Sequence, residues 1–369
     1  MSEGRPRAIH QFHPVLAAHD ATSDHLFAIR DLARSWGHPA EAYAIEAKPE
    51  VAAEVVPYRR LFRTLGREDL LLMHFGLGND AYDRLAALDV RLGLVYHNIT
   101  PPEFFDGLNP HAAHHARKGR AQLRALAKRV PLAIGVSEYN RRELEAAGFA
   151  RTATVPILVD WRRYEVAPDP RVLARWRTTS TTILFVGRIA PNKRQDQLVR
   201  LLGYVRRCVD PEARLLLVGS YRDQPQYHAR VRALASELGL GAAVHFAGGV
   251  DAAALAAYYA VATAFVSLSE HEGFAMPVLE AFRFGVPVVA LDAGAVAETA
   301  GGAAIVLNEK DLAQYGEAIG LLRERASLRE ALVARGTARL ADFATDRVAA
   351  RLREVLLGAA GVVRASGAR

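Results

Sequence analysis

Two glutamates in the segment SEHEGFAMPVLEAFRFGVPVV, residues 269–289, have types and a spacing that could support chemistry. Glu272 stands before a glycine where a tight turn is expected, and Glu280 falls inside the helix predicted to follow. Two carboxylates indicate either a general acid and base, as in glycoside hydrolysis, or acceptors for the hydroxyl groups of one ligand. Because both acids share one strand, turn and helix and do not flank a bond from opposite sides, the second interpretation is favoured.

The residues around the two glutamates predict where the helix begins and ends. Pro277 suits a first helical position, because the N–H that it lacks would have had no partner there. Gly285 marks the end of the helix before the next strand. Backbone N–H groups of residues 273–276 would then lie at a helix amino terminus, where they can bind hydroxyl groups or an anion. The structural alternative is that Glu272 caps the turn and Glu280 lies on the helix surface.

A second motif, FVGRIAPNKRQDQLV at residues 185–199, places two cations in a loop between a strand and a helix. The strand is predicted to end at Gly187, and Arg188 and Lys193 follow it. Cations beside a helix amino terminus bind a diphosphate and stabilise the negative charge that develops as it leaves. Surface charge is the alternative for these two residues. The sequence contains no Walker A pattern.

Apolar, β-rich runs alternate with amphipathic segments along the chain, and these elements must position the loops. In the first half, strands are predicted near residues 7–14, 41–46, 69–75, 91–97, 132–137 and 153–158. In the second half the strand candidates are TTILFVGRI, RLLLVGS, AVHFAGG, TAFVSLS, PVVALD and AAIVLN. Short apolar strands joined by helices predict an α/β fold of two doubly wound, Rossmann-like domains that face a cleft between them.

The predicted domain boundary lies in VPILVDWRRYEVAPDPRVLARW, where three prolines interrupt the pattern. We expect a first domain at residues 1–160 and a second at residues 161–345. Residues 346–369 are expected to form a helix and tail that pack back on the first domain.

Three motifs, VGRIAPNKRQDQLV, VHFAGGV and SEHEGFAMPVLEAFRFGVPVVA, occur in this order within residues 183–300. Together they resemble the carboxyl-terminal domain of the retaining GT-B glycosyltransferases of family four, the glycosyl transferases group one, in which the two glutamates form an E-x7-E motif. The amino-terminal segments LVYHNITPPEFF and GVSEYNRRELEAAGF are also similar to members of that family. The resemblance spans most of the chain, and it implies an acceptor-side domain followed by a domain that binds a nucleotide-sugar donor.

The resemblance implies roles for the charged residues of the second domain. Arg188 and Lys193 would hold the diphosphate of a UDP- or GDP-linked sugar, and Glu280 would bind the ribose hydroxyls. Glu272 would bind hydroxyls of the transferred sugar. Three backbone N–H groups would assist it, those of Gly273, Phe274 and Ala275.

Further positions rest on the same resemblance. Val250 falls where the family receives the base through main-chain contacts, and His97, in VYHN, matches a histidine that faces the sugar. A structural role is the alternative for His97. The first strand-to-helix loop departs from the family, because PVLAAHDATSDHL lacks the usual glycines. Its residues His19, Asp20 and Ala21 are therefore expected on the acceptor side, with an approach of the backbone to phosphate left open.

Composition bounds the class of protein and its location. A chain of 369 residues with 51% hydrophobic and 24% charged residues is typical of a globular protein of two domains. The single cysteine, Cys208, excludes an internal disulfide and a cysteine-rich metal site, which favours the cytoplasm. The inner face of the membrane is the alternative location. No signal peptide is visible, and no apolar run is long enough to cross a membrane.

The net charge of +7 raises the question of nucleic-acid or membrane partners. No nucleic-acid-binding module is apparent, so no nucleic-acid partner is expected. The segment HAAHHARKGRAQLRALAKRV, residues 111–130, favours a solvated basic helix, with peripheral membrane contact as the alternative. Neither an Asp-x-Asp motif nor an acid or cysteine spaced to support the thirteen histidines is found, so no metal and no cofactor are expected.

These features predict an enzyme that transfers a sugar, a hexose by the resemblance, from a nucleotide diphosphate to a hydroxyl of a carbohydrate, glycoconjugate or small molecule. Retention of the anomeric configuration, with the leaving phosphate taking the acceptor proton, is implied by the resemblance. Alternatives are a sugar-nucleotide epimerase, disfavoured by the glutamate spacing, and an α-glucan phosphorylase, disfavoured by the lack of a persuasive pyridoxal-phosphate lysine. A catalytically silent sugar-nucleotide-binding protein is the alternative from another class.

Overall fold

The computed structural model describes residues 6–18 and 20–358, and these divide into two compact units. Unit 1 comprises the described residues of Met1–Pro102, His111–Asp160 and Phe343–Arg369, and unit 2 comprises Glu103–Pro110 and Trp161–Asp342. Each unit contains its own parallel sheet. The predicted fold class, with two doubly wound α/β domains, is confirmed.

The main sheet of unit 1 has seven parallel strands within the described residues, in the order β5-β3-β1-β6-β7-β8-β9. They are β1 Ile9–Phe12, β3 Ala42–Ala44, β5 Val55–Pro57, β6 Leu70–Phe75, β7 Arg91–Tyr96, β8 Leu132–Gly135 and β9 Thr152–Thr154. Two short strands, β2 Val15–Leu16 and β4 Glu46–Ala47, pair separately. The direction of winding reverses between β1 and β6, and parallel sheets bind ligands at the carboxyl ends of strands beside such a reversal.

Five helices connect the strands of unit 1 in the part of the chain that the structure describes. They are α1 Ala21–Ser35, α2 Leu61–Thr64, α3 Asp80–Ala86, α4 Pro110–Leu126 and α5 Glu138–Ala146. Helix α1 begins at Ala21 because the Asp20 carboxylate accepts a hydrogen bond of 2.9 Å from the backbone N–H of Ser23. Asn79 and Ser137 cap α3 and α5 in the same way. The caps fix where each strand-to-helix loop ends.

The sheet of unit 2 has six parallel strands in the described chain, in the order β12-β11-β10-β13-β14-β15. They are β10 Thr182–Val186, β11 Arg214–Val218, β12 Val244–Gly248, β13 Ala264–Ser267, β14 Val288–Leu291 and β15 Ile305–Leu307. Winding reverses between β10 and β13, so the loops that follow these two strands lie side by side at the carboxyl edge of the sheet.

The helices of unit 2 cover this sheet. They are α6 Pro170–Trp176, α7 Gln195–Cys208, α8 Pro225–Glu237, α9 Ala252–Ala260, α10 Met276–Arg283, α11 Val296–Ala300, α12 Leu312–Glu324 and α13 Ala326–Arg339. The last helix, α14 Thr345–Leu357, belongs to unit 1. Apolar side chains of α7 and α12, such as Leu198, Leu202 and Ile319, pack with Leu215 and Leu217 of β11 in a fully buried core. That packing holds the strand ends in fixed positions.

The strands predicted from the sequence are confirmed, with shorter bounds, and two differences have clear causes. Strand β9 ends at Thr154 instead of continuing to residue 158, because Pro156 has no N–H to donate to a neighbouring strand. Strand β5 was not predicted, because it has only three residues, lies at the sheet edge and is not buried. Among the described residues, no helix has the length and apolar character needed to cross a membrane.

Candidate functional site

The carboxyl edge of the sheet in unit 2 is shaped by close backbone contacts. Gly219 follows β11 with φ of 146°, and a Cβ atom there would lie 2.0 Å from the carbonyl oxygen of Gly187, which follows β10. Only glycine allows the two loops to approach so closely. The loop that carries Arg188 and Lys193 therefore lies directly against the loop that follows β11.

Lys193 and Glu272 meet at this edge, although they lie far apart in the sequence. The Nζ atom of Lys193 is 2.7 Å from both carboxylate oxygens of Glu272. The two side chains are only 21% and 11% exposed, so the ion pair is largely shielded from water. The strand order explains the meeting, because the loops after β10 and β13 are adjacent at the reversal of winding.

Hydrogen bonds between backbone and side chains hold these two loops together. The N–H of Glu270 donates to the carbonyl of Asn192 at 2.8 Å, and the Asn192 amide donates to the carbonyl of His271 at 3.2 Å. Both Arg194, at 3.5 Å, and Lys310 pair with the Glu270 carboxylate. These contacts hold the two loops that carry Lys193 and Glu272 in fixed positions relative to each other.

The turn before α10 has a strained backbone. Ala275 precedes the helix with φ of 62° and ψ of 48°, a left-handed conformation that costs a residue with a Cβ about 1–2 kcal/mol. Pro277 lies in the first turn of α10, and Gly285, with φ of 67°, follows its end, as the sequence predicts. Thr299 donates a hydrogen bond of 2.5 Å to the carbonyl of Phe274 and so anchors the turn. Strain retained by surrounding contacts is frequent at ligand-binding turns.

Gly294 packs against the backbone of Glu272 from the loop after β14. Its φ is 64°, and a Cβ atom at this position would lie 2.2 Å from the carbonyl oxygen of Glu272. The next residue, Ala295, donates its N–H to that same oxygen at 2.9 Å. The position of the Glu272 backbone therefore depends on a glycine in a separate loop.

Glu280 is buried in α10, and the interpretation of it as a surface residue is wrong. It is 6% exposed. Its carboxylate accepts hydrogen bonds from the hydroxyls of Tyr164, at 2.7 Å, and Tyr259, at 2.9 Å. Burial and the neighbouring Glu280 charge raise the pKa of both tyrosines, so each hydroxyl keeps the proton that it donates. Each carboxylate oxygen retains a lone pair for a further donor.

Arg188 and Val250 complete the positions predicted in unit 2. The Arg188 side chain is exposed, and it forms no ion pair with any residue that the structure describes. Its carbonyl accepts a hydrogen bond of 3.0 Å from Gln195, which fixes its backbone. Val250 is half-buried in the loop between β12 and α9, at the same edge of the sheet.

His97 lies one residue past β7 at the carboxyl edge of the sheet in unit 1. Its Nε2 is 2.9 Å from Nδ1 of His74 on β6, and Nε2 of His74 is 3.0 Å from Oε1 of Gln11 on β1. With that amide oxygen as acceptor, His74 is protonated on Nε2, and His97 donates from Nε2 to His74. His97 Nδ1 is then an acceptor. Burial lowers the pKa of both histidines well below the usual value, which keeps them neutral.

The first strand-to-helix loop is less informative about ligand binding. Asp20 uses its carboxylate to cap α1, where it accepts hydrogen bonds of 2.9 Å from both the N–H and the hydroxyl of Ser23. Ala21 is the first residue of α1 and is exposed. His19 lies outside the described residues. The acceptor-side role of all three stays a prediction.

The basic segment 111–130 forms most of α4, and its cations divide into two groups. Lys118 pairs with Asp80, and Arg120 lies 3.7 Å from Glu143 and donates to a backbone carbonyl. The side chains of Arg124 and Lys128 are exposed. The segment is thus partly bound to the rest of unit 1.

A comparison of the sequence with protein families shows which family the segment around this site resembles. Residues 172–339, which contain Arg188, Lys193, Glu272 and Glu280, match the model described as "Glycosyl transferases group 1". This part of the chain is therefore similar to the glycosyl transferases group 1 family. The resemblance stated from the motifs is confirmed.

Curated relatives of this chain match over part of their own length. A GDP-mannose-dependent alpha-(1-6)-phosphatidylinositol monomannoside mannosyltransferase of Mycobacterium tuberculosis is 30% identical over 65% of this chain and 65% of its own. A D-inositol 3-phosphate glycosyltransferase of Thermomonospora curvata is 32% identical over 50% of this chain and 44% of its own. The chain thus spans less than two thirds of the relatives that it matches.

Solved structures share the fold over nearly the whole chain. Anabaena HepE in complex with UDP and glucose superposes with a TM-score of 0.75 at 18% identity, covering 94% of this chain and 98% of its own. The glycosyltransferase WaaG, involved in lipopolysaccharide biosynthesis, superposes with a TM-score of 0.72 at 14% identity, covering 95% and 100%. At these identities the comparison establishes the GT-B fold.

Sequence reasoning missed several residues around the candidate site. Tyr164 and Tyr259, the partners of Glu280, stand at no recognisable spacing from it, and a tyrosine inside an apolar helix indicates only core. Gln11 stands in β1 and His74 in β6, and neither strand gives a local sign that the two residues meet. The strand order brings each of these partners into place, and no local pattern of residues encodes it.

Proposed function

We propose that the protein transfers a hexose from a nucleotide diphosphate to an acceptor hydroxyl, with retention of the anomeric configuration and without a metal ion on the diphosphate. The observation that carries the proposal is the meeting of Lys193 and Glu272 at the reversal of winding in unit 2, beside the amino terminus of α10. The match of residues 172–339 to the family model supports it. UDP- and GDP-linked sugars are the donors to test, since relatives are named GDP-mannose-dependent and HepE was solved with UDP.

In this proposal Arg188 and Lys193 bind the diphosphate. Arg188 is exposed and has no acidic partner in the described chain, so its guanidinium can bind a phosphate without first losing an ion pair. Lys193 is held beside the same edge by its contact with Glu272. Fixed cations at a leaving group stabilise the charge that grows there in the transition state. They thereby take the role that a bridging metal has in other transferases.

The two glutamates bind hydroxyl groups on either side of the diphosphate. Glu280 binds the ribose with the lone pairs that its two tyrosines leave available. Glu272, with the backbone N–H groups of Gly273, Phe274 and Ala275, binds the transferred sugar. Val250 receives the base, and His97 forms a hydrogen bond with a sugar hydroxyl.

The chemical step needs no covalent intermediate on the protein. The bond between the anomeric carbon and the acceptor oxygen forms on the face from which the bond to the phosphate oxygen breaks. The acceptor proton passes to the leaving phosphate. The protein then contributes position and electrostatic stabilisation, which together can account for much of the acceleration of a transfer reaction.

The test is a screen of nucleotide sugars against hydroxyl acceptors, read by mass spectrometry. A glycosylated acceptor together with free nucleoside diphosphate is the expected result, and the anomeric configuration of the product by NMR tests retention. A free epimer of the sugar nucleotide indicates an epimerase, and a sugar phosphate indicates a phosphorylase. Nucleotide-sugar binding without any product indicates a binding protein.

The acceptor and the membrane contact form a second, separate proposal. Relatives are named for lipid-linked and inositol phosphate acceptors, so lipid-linked and soluble polyols both belong in the screen. The exposed cations of α4 would attract an anionic membrane surface. Co-sedimentation with vesicles containing anionic lipid tests this contact, and Arg124→Glu with Lys128→Glu should abolish it. Equal sedimentation of the variant and the unaltered protein would contradict the contact.

A further inference from the structure

Three histidines meet at the carboxyl edge of the sheet in unit 1. His25 comes from the first turns of α1, His74 from β6 and His97 from the residue after β7. One ring nitrogen from each lies within 4.8 Å of the others. The rings of His74 and His97 are stacked, and His25 packs edge-on against both at 5.9 and 5.4 Å between centroids. The cluster lies beside the reversal of winding between β1 and β6.

His25 is fully buried, and neither of its ring nitrogens has a hydrogen-bond partner among the described residues. A buried polar group without a partner costs about 1–3 kcal/mol. Native proteins rarely leave such a group unsatisfied unless a water molecule, an ion or a ligand binds it. The unpartnered ring of His25 is therefore evidence for a ligand that binds within the cluster.

The cluster has the donors that a transition-metal ion requires. Three histidines with an open fourth position form a common zinc site, with bonds of about 2.0–2.1 Å. His97 is the partly exposed member of the cluster.

A second contact resembles the support that metal ligands usually have. His74 directs Nδ1 toward the cluster, and its other nitrogen, Nε2, lies 3.0 Å from the amide oxygen of Gln11. Metal-binding histidines almost always donate their second N–H to such an oxygen, which fixes the ring and its tautomer. The 2.9 Å between His74 Nδ1 and His97 Nε2 is near the spacing of about 3.3 Å that two ligands of one tetrahedral ion adopt.

We propose that His25, His74 and His97 bind one divalent transition-metal ion, with Zn²⁺ as the best match to three imidazoles. Imidazole ligands suit Zn²⁺ and also Co²⁺ and Ni²⁺, whereas Mg²⁺ and Ca²⁺ prefer oxygen. The ion would replace the proton shared between His74 and His97 and would give the His25 ring a partner. The site does not rest on sugar transfer, and it binds no phosphate.

A second pair of histidines provides the control. His111 and His115 are one turn apart on α4, with their Nε2 atoms 3.1 Å apart, and the Nδ1–H of His115 donates to the carbonyl oxygen of Gly78. Such an exposed pair can bind a metal adventitiously. The His111→Ala/His115→Ala variant removes it without altering the buried cluster. His25→Leu removes one ligand from the cluster, and it should not unfold the protein because the ring makes no hydrogen bond.

The experiment titrates metal-free protein with Co²⁺ and then displaces it with Zn²⁺. The His111→Ala/His115→Ala variant should bind one Co²⁺ per chain and show the intense visible bands of a tetrahedral site. The His25→Leu variant should lose those bands and bind Zn²⁺ at least tenfold more weakly by calorimetry. The proposal is overturned if the unaltered protein shows no such bands, if His25→Leu leaves them unchanged, or if they depend on His111 and His115.

A further measurement keeps the proposal testable if His25→Leu proves unstable. The ¹⁵N NMR signals of the imidazole rings in the unaltered protein report directly on metal ligation. One equivalent of Zn²⁺ should shift ring nitrogens of His25, His74 and His97 together. Shifts confined to His111 and His115 would overturn the proposal. Because binding is read directly, a negative result leaves the proposed transfer reaction untouched, and failure of the transfer screen leaves this site untouched.

Discussion

The sheets of the two units wind with the same reversal, yet the residues at the reversal differ in kind. In unit 2 the edge carries Lys193, Glu272 and the exposed Arg188. In unit 1 it carries neutral histidines, of which His25 and His74 are buried and His97 is partly exposed. The fold supplies the place where a ligand binds, and the side chains set the ligand's charge. A charged edge suits a diphosphate, and a neutral imidazole edge suits a sugar hydroxyl or a soft cation.

The largest expected effect comes from removing a cation from the charged edge of unit 2. Arg188→Ala and Lys193→Ala should each lower kcat about 10²–10³-fold, the usual loss for one fixed group that stabilises developing charge. Arg207→Ala, at an exposed position of α7, is the matched control and should leave kcat unchanged. Steady-state kinetics with the donor identified by the screen give the result. Turnover near that of the unaltered protein in both variants would remove the diphosphate assignment.

A smaller effect is expected at Glu280, the residue proposed to bind the ribose. Glu280→Gln removes the charge of a buried acceptor, and hydrogen bonds to charged groups contribute about 1.5–3 kcal/mol. The affinity for free nucleoside diphosphate should fall about ten- to a hundredfold in calorimetry. Glu324→Gln alters an exposed carboxylate of α12 and should leave affinity unchanged. Equal affinities in both variants would show that Glu280 serves the tyrosines alone.

The position of Glu272 can be tested without altering its side chain. Gly294→Ala should displace the Glu272 backbone, since the new Cβ would lie 2.2 Å from its carbonyl oxygen, and kcat should fall about tenfold. Gly302→Ala has the same left-handed strain, with φ of 78°, but meets nothing within 4 Å. Gly302→Ala should lose about 1–2 kcal/mol of stability in denaturant unfolding, and Gly294→Ala should lose more because its Cβ also meets backbone. Equal kcat values in the two variants would show that the contact of Gly294 with the Glu272 backbone does not position Glu272.

The smallest expected effect concerns metal removal. If Arg188 and Lys193 neutralise the diphosphate, transfer in EDTA after exhaustive removal of metal should keep at least about half of its rate, because no catalytic ion is lost. Loss of a zinc ion from unit 1 leaves His97 with its hydrogen bond to His74. A fall of two or more orders of magnitude, restored by Mg²⁺ or Mn²⁺, would show that the charged edge needs a bridging ion.

The sequence predicts the charged edge better than the neutral one, for physical reasons. Proline, glycine and charge mark the turn at Glu272 and the loop at Lys193, and these signals are local. The order of the strands brings the two loops together. The α/β pattern of the sequence predicts a doubly wound sheet, but it does not specify this order. The contact of Gly294 with Glu272 is set by tertiary packing, which no local pattern encodes. The histidine cluster is assembled in the same way, from α1, β6 and β7.

In the contact between Lys193 and Glu272, each side chain occupies the charged group that a ligand would bind, so a ligand has to compete with this ion pair. A neutral sugar that approaches Glu272 offers nothing to Lys193, so it has to displace an ammonium group from a carboxylate at 2.7 Å. A diphosphate offers Lys193 a second anion and leaves Glu272 free to accept hydrogen bonds from hydroxyl groups. The two halves of a nucleotide sugar should therefore bind cooperatively, each half depending on the other, and an isolated hexose should bind far more weakly than the same hexose attached to its nucleotide.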